Sequence, residues 1–245
     1  MVKIYTSLFL IFVVATSVAG QTKKDTAKND TSRNLKAVTI KAYLSEQPVL
    51  TVPASVSLIS QQQLNVQPDN SFISVLNSQP GVRAEERSPG SYRLSIRGSL
   101  LRSPFGVRDV KIYYDDIPLT DAGGNTYLNA IDFNSIHSME VLKGPDGSLF
   151  GANSGGVVLL SPVNHHADGN YLSAGLNGGS YGLLHENTAL QNKSGNSQLN
   201  LNQAYESYGG YRQHSYMQRH YIQAVNSWTY NKNDQFRLLG FYSDL

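Results

Sequence analysis

SMEVLKGPDGSLFGANSGGVVLLSP, residues 138–162, is the stretch on which the fold turns. Its two ends, SMEVLKG (138–144) and GVVLLSP (156–162), read as strands. The run GPDGSLFGANSGG (144–156) that joins them carries Gly144, Gly147, Gly151, Gly155 and Gly156. A phosphate cradle of the P-loop type would need a Lys-Ser/Thr pair after the glycines, and none follows. Glycines this dense instead permit tight turns and close approach of one backbone to another.

Upstream, ASVSLIS (54–60) alternates apolar and polar residues as a half-buried strand does. Ser60 with Gln63 makes a capping box that opens a short helix, QQQLNV. Asp69 is placed to cap a second helix, in which Phe72, Ile73, Val75 and Leu76 share a face. Pro80-Gly81 ends it. RLSIRG (93–98) and VKIYYDD (110–116) add strands. Helices and strands alternate without a strict βαβ rhythm, so the fold class is α+β with a small mixed sheet.

Downstream of 168 the texture changes. Nine of the fifteen tyrosines and the sole tryptophan fall there, among Asn, Gln, Ser and Gly. Five segments, 171–177, 185–191, 197–205, 220–230 and 235–243, are each bounded by turn residues and read as successive hairpins. Their length suits antiparallel strands of a transmembrane barrel, with Tyr171, Tyr205, Tyr211, Tyr221, Trp228 and Tyr230 near strand ends as an interfacial girdle. A soluble β-sandwich is equally strand-rich, and the pattern alone leaves both open.

Lys3, an apolar run from Ile4 to Ala19 and the small residues of SVAGQ have the order of an export signal, so residues 1–20 are read as a signal peptide. Residues 21–36 are polar and aperiodic, the signature of a disordered arm. The chain has no cysteine, which removes disulfides, thiol nucleophiles and Cys-ligated metals. Its 20 basic and 18 acidic side chains argue against a nucleic-acid binder that works by neutralising phosphates. A mean hydropathy of −0.31, with no long apolar run after residue 20, excludes a helical membrane protein but not a barrel, whose alternating strands hide from hydropathy.

Catalytic motifs are scarce. GGSYG (178–182) fits a nucleophile elbow with Ser180, but that motif needs a strand before it and a helix after it, and both flanks here alternate like strands. His185-Glu186 begins like a zinc-protease motif, but position 189 is alanine. His165-His166 point to opposite faces of any strand, which makes them poor joint ligands. Six arginines (Arg83, Arg87, Arg93, Arg97, Arg102, Arg108) form the densest cationic feature, interleaved with Glu85, Glu86 and Asp109. No catalytic residue, metal ligand or cofactor is expected.

In order, LNSQPGVR (76–83), LSIRG (94–98), VKIYYDDIPL (110–119) and the 138–162 block resemble the plug domain of TonB-dependent outer-membrane receptors. LKAVTIKAY (35–43) looks like the family's TonB box, and the five hairpin segments stand where its barrel begins. The resemblance implies a plug over 37–165, the first strands of an incomplete barrel over 168–245, and an outer-membrane location. It implies an importer of a scarce nutrient such as a ferric siderophore, haem or cobalamin, driven by TonB and seated in outer-membrane lipid. Ala37, Val38, Thr39, Ile40 and Lys41 would add a strand to TonB. Arg97 and Lys143 would latch the plug to barrel glutamates, Lys143 as a point charge without the fork of an arginine. Asp116 stands where the family usually has the glycine of its Asp-Gly turn, and it is expected there at positive φ. Outward plug loops would supply Arg87, Arg102, Phe105 and Tyr127 as ligand contacts.

A plugged transporter has a barrel of about 22 strands. At about 10 residues each these need several hundred residues after the plug, against 78 from position 168. The expectation is an N-terminal fragment. Competing readings are a secreted β-rich carbohydrate-binding or adhesive protein, and a hydrolase using Ser180.

Overall fold

The glycine-rich stretch that joins 138–143 to 156–161 closes two central strands into the middle of a mixed sheet. The computed structural model describes residues 38–41, 45, 47–67, 71–99, 107–151, 155–163, 169–231 and 234–245. The export signal, the arm, Ala37, Asp69, Arg102, Phe105 and His165-His166 lie outside the described residues.

In chain order, β1 (Thr39–Ile40) and β2 (Gln47–Pro48) pair with each other. β3 (Val56–Ile59) leads into helix α1 (Gln61–Asn65), whose start is held as the capping box requires: the Ser60 amide donates to Gln63 Oε1 at 2.9 Å. Helix α2 (Phe72–Asn77) buries Phe72, Val75 and Leu76. Its cap is Ser71 rather than Asp69, because the Ser71 hydroxyl accepts from the Ile73 amide at 3.3 Å. After Gly81 come β4 (Val82–Glu86) and β5 (Tyr92–Ile96), a separate hairpin. β4 was not expected, since VRAEE offers only two apolar residues. Both of them, Val82 and Ala84, are buried.

β6 (Val110–Tyr114), β7 (Ile117–Pro118), β8 (Ser138–Lys143) and β9 (Gly156–Ser161) join β3 in the order β3-β8-β9-β6-β7. Only β6 and β9 run parallel; the other neighbours are antiparallel. The turn between β6 and β7 takes its left-handed residue at Asp115 (φ 55). The expectation for Asp116 is therefore off by one position.

One face of this sheet packs with α1, α2 and the β4–β5 hairpin on a core that includes Phe72, Leu94, Ile112, Tyr114 and Val141. Phe72 sits edge-on to both Tyr92 and Phe133, at 5.7 and 5.4 Å between ring centres. The other face carries a smaller cluster of Ile40, Leu142, Phe150, Val157 and Leu159.

The remaining strands, β10 (Tyr171–Gly179), β11 (Leu183–Ser194), β12 (Ser197–Tyr208), β13 (Met217–Thr229) and β14 (Gln235–Asp244), form one antiparallel meander in sequence order. It does not close on itself: β10 and β14 are its edges. Along β13, Arg219, Tyr221, Gln223, Val225 and Ser227 are buried while the residues between them are exposed or half-buried. That is the period-two alternation of a strand with one covered face. Ala204 and Tyr221 belong to the same core as Phe72 and Tyr114, so the α+β domain is what covers that face. Among the described residues no helix is long and apolar enough to cross a membrane, which says nothing of strands.

Candidate functional site

The residues singled out in the sequence fall into three places. The first is the segment 38–41. The Val49 amide donates to the Val38 carbonyl at 2.9 Å, and Thr39–Ile40 lie against Gln47–Pro48. Ile40 is 1% exposed within the Leu142, Phe150 and Leu159 cluster. The Lys41 amide donates to both carboxylate oxygens of Glu140, at 2.9 and 3.1 Å. A segment expected at the end of a free arm is thus docked, with Ile40 packed into that cluster while Val38 stays exposed. Glu140→Ala is expected to raise tryptic cleavage after Lys41 about tenfold, since a hydrogen bond to a charged group contributes on the order of 1.5–3 kcal/mol. Unchanged cleavage would mean that Glu140 does not hold the segment.

The second place brings Arg97 and Lys143 together. Arg97 lies in the left-handed region (φ 52), and a Cβ added at Gly144 would come within 3.0 Å of Arg97 Nη1. Lys143 is buried, and its ammonium donates to the Pro80 carbonyl at 2.7 Å. Burial, and then the Arg97 guanidinium, push its pKa below the ordinary lysine value. Among the described residues neither cation has a carboxylate within ion-pair distance.

The third place is the turn 87–91 together with the loop 126–129. A tight turn closes 87–91 through the Arg87 amide and the Ser91 carbonyl, and the Gly90 amide donates to Glu86 Oε1 at 2.7 Å. This turn and the loop ending at Asn129 line a cavity of about 210 Å³. Tyr127 stands half exposed at its edge. Arg87, at the start of the 87–91 turn, is exposed.

Ser180 lies in a single turn between β10 and β11, with Tyr181 at φ 58. No helix follows it, so the strand-turn-helix geometry of a nucleophile elbow is missing here.

What sequence reasoning missed is a buried charged centre where the α+β domain meets the meander. Arg219 Nη2 donates to Asp132 Oδ1 at 2.7 Å and to Glu206 Oε2 at 2.6 Å. His185 Nε2 lies 3.1 Å from the same Asp132 oxygen. Asp132, His185 and Glu206 present ligand atoms within 4.8 Å of one another, as a metal site would. The Arg219 guanidinium already supplies the cation between the two acids, so the donor set does not call for a metal. Arg237 pairs with Asp115 and, at 3.4 Å, with Asp116. Tyr114 donates to Gln223 and shares a 3.0 Å hydrogen bond with Tyr221. Burial, and then the neighbouring Tyr221, push the Tyr114 phenol well above its ordinary pKa. The one available signal was the alternation: His185, Glu206 and Arg219 all occupy covered positions of their strands.

Residues 48–158 match the family model of the TonB-dependent receptor plug domain. That stretch is a TonB-dependent receptor plug domain. Over 142 residues it is 28% identical to the vitamin B12 transporter BtuB of Vibrio vulnificus, covering 56% of this chain and 22% of that protein. Over 162 residues it is 30% identical to the ferrioxamine receptor of Yersinia enterocolitica, covering 62% and 22%. The chain therefore spans about a fifth of the length of these relatives. The fold matches that of Pseudomonas aeruginosa FpvA bound to a pyoverdine–iron complex, with a TM-score of 0.69 at 19% identity over 84% of this chain and 27% of that one. It likewise matches the alcaligin receptor FauA of Bordetella pertussis, with a TM-score of 0.65 at 15% identity over 84% and 34%. Because 84% of the chain exceeds the plug, the likeness takes in the meander, which corresponds to the start of the receptor barrel. Plug-domain receptors are transporters rather than enzymes. The meander is called the wall below.

Proposed function

We propose that this chain is the plug and first wall strands of an outer-membrane receptor that binds a scarce nutrient and imports it by TonB-driven rearrangement of the plug. The observation that carries the reading is the matched plug packed on wall strands, with Ala204 and Tyr221 of the wall inside the plug's own core. The nutrient classes that fit the relatives are a ferric siderophore or cobalamin, with haem as a further iron source.

In this reading residues 1–20 direct export, 21–36 are the periplasmic arm, 37–165 the plug and 168–245 wall. Residues 37–41 are the TonB-binding strand, supported by the pairing of Thr39–Ile40, which already act as a strand. Arg97 and Lys143 await glutamates on further wall strands; their lack of carboxylate partners among the described residues supports that role. Arg87 and Tyr127, with Arg102 and Phe105, are the ligand-facing plug residues, and the cavity at Tyr127 supports the choice of loop.

The test is uptake of radiolabelled ferrioxamine and of cyanocobalamin by cells producing the protein, with and without TonB. TonB-dependent uptake of either is the expected result. Binding and uptake of neither, by cells with correctly assembled protein, would overturn the nutrient reading.

A further inference from the structure

Asp132 is 1% exposed, yet it faces three groups able to carry a positive or negative charge, each from a different wall strand. His185 of β11, Glu206 of β12 and Arg219 of β13 are direct register partners, so they form one row across the wall. That row converges on a single plug carboxylate. We infer that Asp132 and Arg219 form a second plug latch, opposite in polarity to Arg97 and Lys143, which fixes plug residues 128–136 against the wall. This rests on the plug-and-wall reading above.

Arg219 uses both terminal nitrogens of its guanidinium. Nη2 meets the two acids, while Nη1 donates to the plug carbonyls of Ile131 at 3.1 Å and Asn129 at 3.4 Å. A lysine ammonium has three donors but no planar fork, and could not span this set. Asp132 is equally committed: Oδ1 faces the wall, and Oδ2 accepts from the Asn134 amide at 3.0 Å and so caps the plug turn Phe133–Ser135. Removing one partner of such a pair leaves the other charge buried and uncompensated, which costs far more than the pair's net contribution. The same polarity recurs where Arg237 of the wall meets Asp115 and Asp116 of the plug.

Position gives the latch its use. The segment it grips begins one residue after Tyr127 and ends just before β8, whose Glu140 holds the Lys41 amide. Asp132 and Arg219 are therefore positioning residues, which set where the Tyr127 loop stands relative to the wall.

The experiment uses Ala204→Cys as a reporter, since the native chain has no cysteine and Ala204 is 3% exposed within the plug–wall core. Outer membranes containing the protein are treated with a water-soluble maleimide, and wall folding is checked by heat-modifiable migration on gels. Asp132→Asn and Arg219→Gln are expected to speed labelling about tenfold or more with the wall still folded, as loss of a buried partner implies. Arg219→Lys and Glu206→Gln should each speed it less. The exchange Asp132→Arg with Arg219→Asp should return labelling toward the parent rate, which a purely steric role would not. Labelling at the parent rate in both Asp132→Asn and Arg219→Gln overturns the latch. If the single variants do not assemble, the exchange decides: recovery supports the latch and failure to recover overturns it. Labelling needs no transported ligand, so a failure of the nutrient reading shows up separately, as absent uptake.

Discussion

Gly156→Ala is expected to cost the plug about 3 kcal/mol or more, a value in the diagnostic tail for single substitutions. Gly156 sits at φ +132, a conformation that L side chains rarely adopt, and a Cβ there would lie 2.3 Å from the Leu142 carbonyl oxygen. That oxygen belongs to β8 in the middle of the sheet, where Lys143 is the register partner of Gly156. The backbone cannot retreat without giving up the ladder on which both strands depend. Gly98→Ala is the matched control: its φ is also positive, at +85, but nothing lies within 4 Å of the added carbon. It should cost about 1 kcal/mol from backbone strain alone. Urea unfolding followed by far-ultraviolet circular dichroism separates the two. Equal losses would mean that the β8–β9 contact is not what demands glycine at 156.

Thr39→Pro is expected to reduce energised uptake to the level of cells without TonB, while ligand binding at the cell surface stays as in the parent. Strand addition takes its affinity from main-chain hydrogen bonds, and proline removes a donor and fixes φ. Thr39→Ala keeps the amide and should transport nearly normally. The docked geometry sharpens the contrast. Among the described residues Thr39 pairs only with Pro48, itself without an amide hydrogen, and the flanking bond runs from the Val49 amide to the Val38 carbonyl. The substitution should therefore disturb the resting contacts little and the exchange of partners a great deal. Normal transport by Thr39→Pro would remove residues 37–41 from the TonB-binding role.

Local features of this fold were readable from the chain, and those set by distant partners were not. The capping box at Ser60 and Gln63 needs residues three apart, and it formed as read. The five wall segments were recognisable from alternation and turn residues, although β11 and β13 extend beyond the segments read, to Leu183–Ser194 and Met217–Thr229, because polar residues continue a ladder as well as apolar ones do. β4 was missed because Arg83 and Glu85 break the apolar pattern on its outer side. GGSYG shows how a motif outruns its context, since the same five letters serve a hairpin as readily as an elbow. The charged centre was beyond reach for a simpler reason. Asp132 lies 53 residues from His185 and 87 from Arg219, and nothing local to Asp132 marks it as the plug residue that meets them.

The placement of Trp228 has a practical outcome for anyone following this protein by light. It is the sole tryptophan of the chain, on β13, half-buried and 5.6 Å from the Phe236 ring of β14. The described plug residues contain none. Intrinsic emission excited at tryptophan wavelengths is thus a spectroscopic view of the wall alone, and a plug that came loose while the strands held would pass through such a titration unseen.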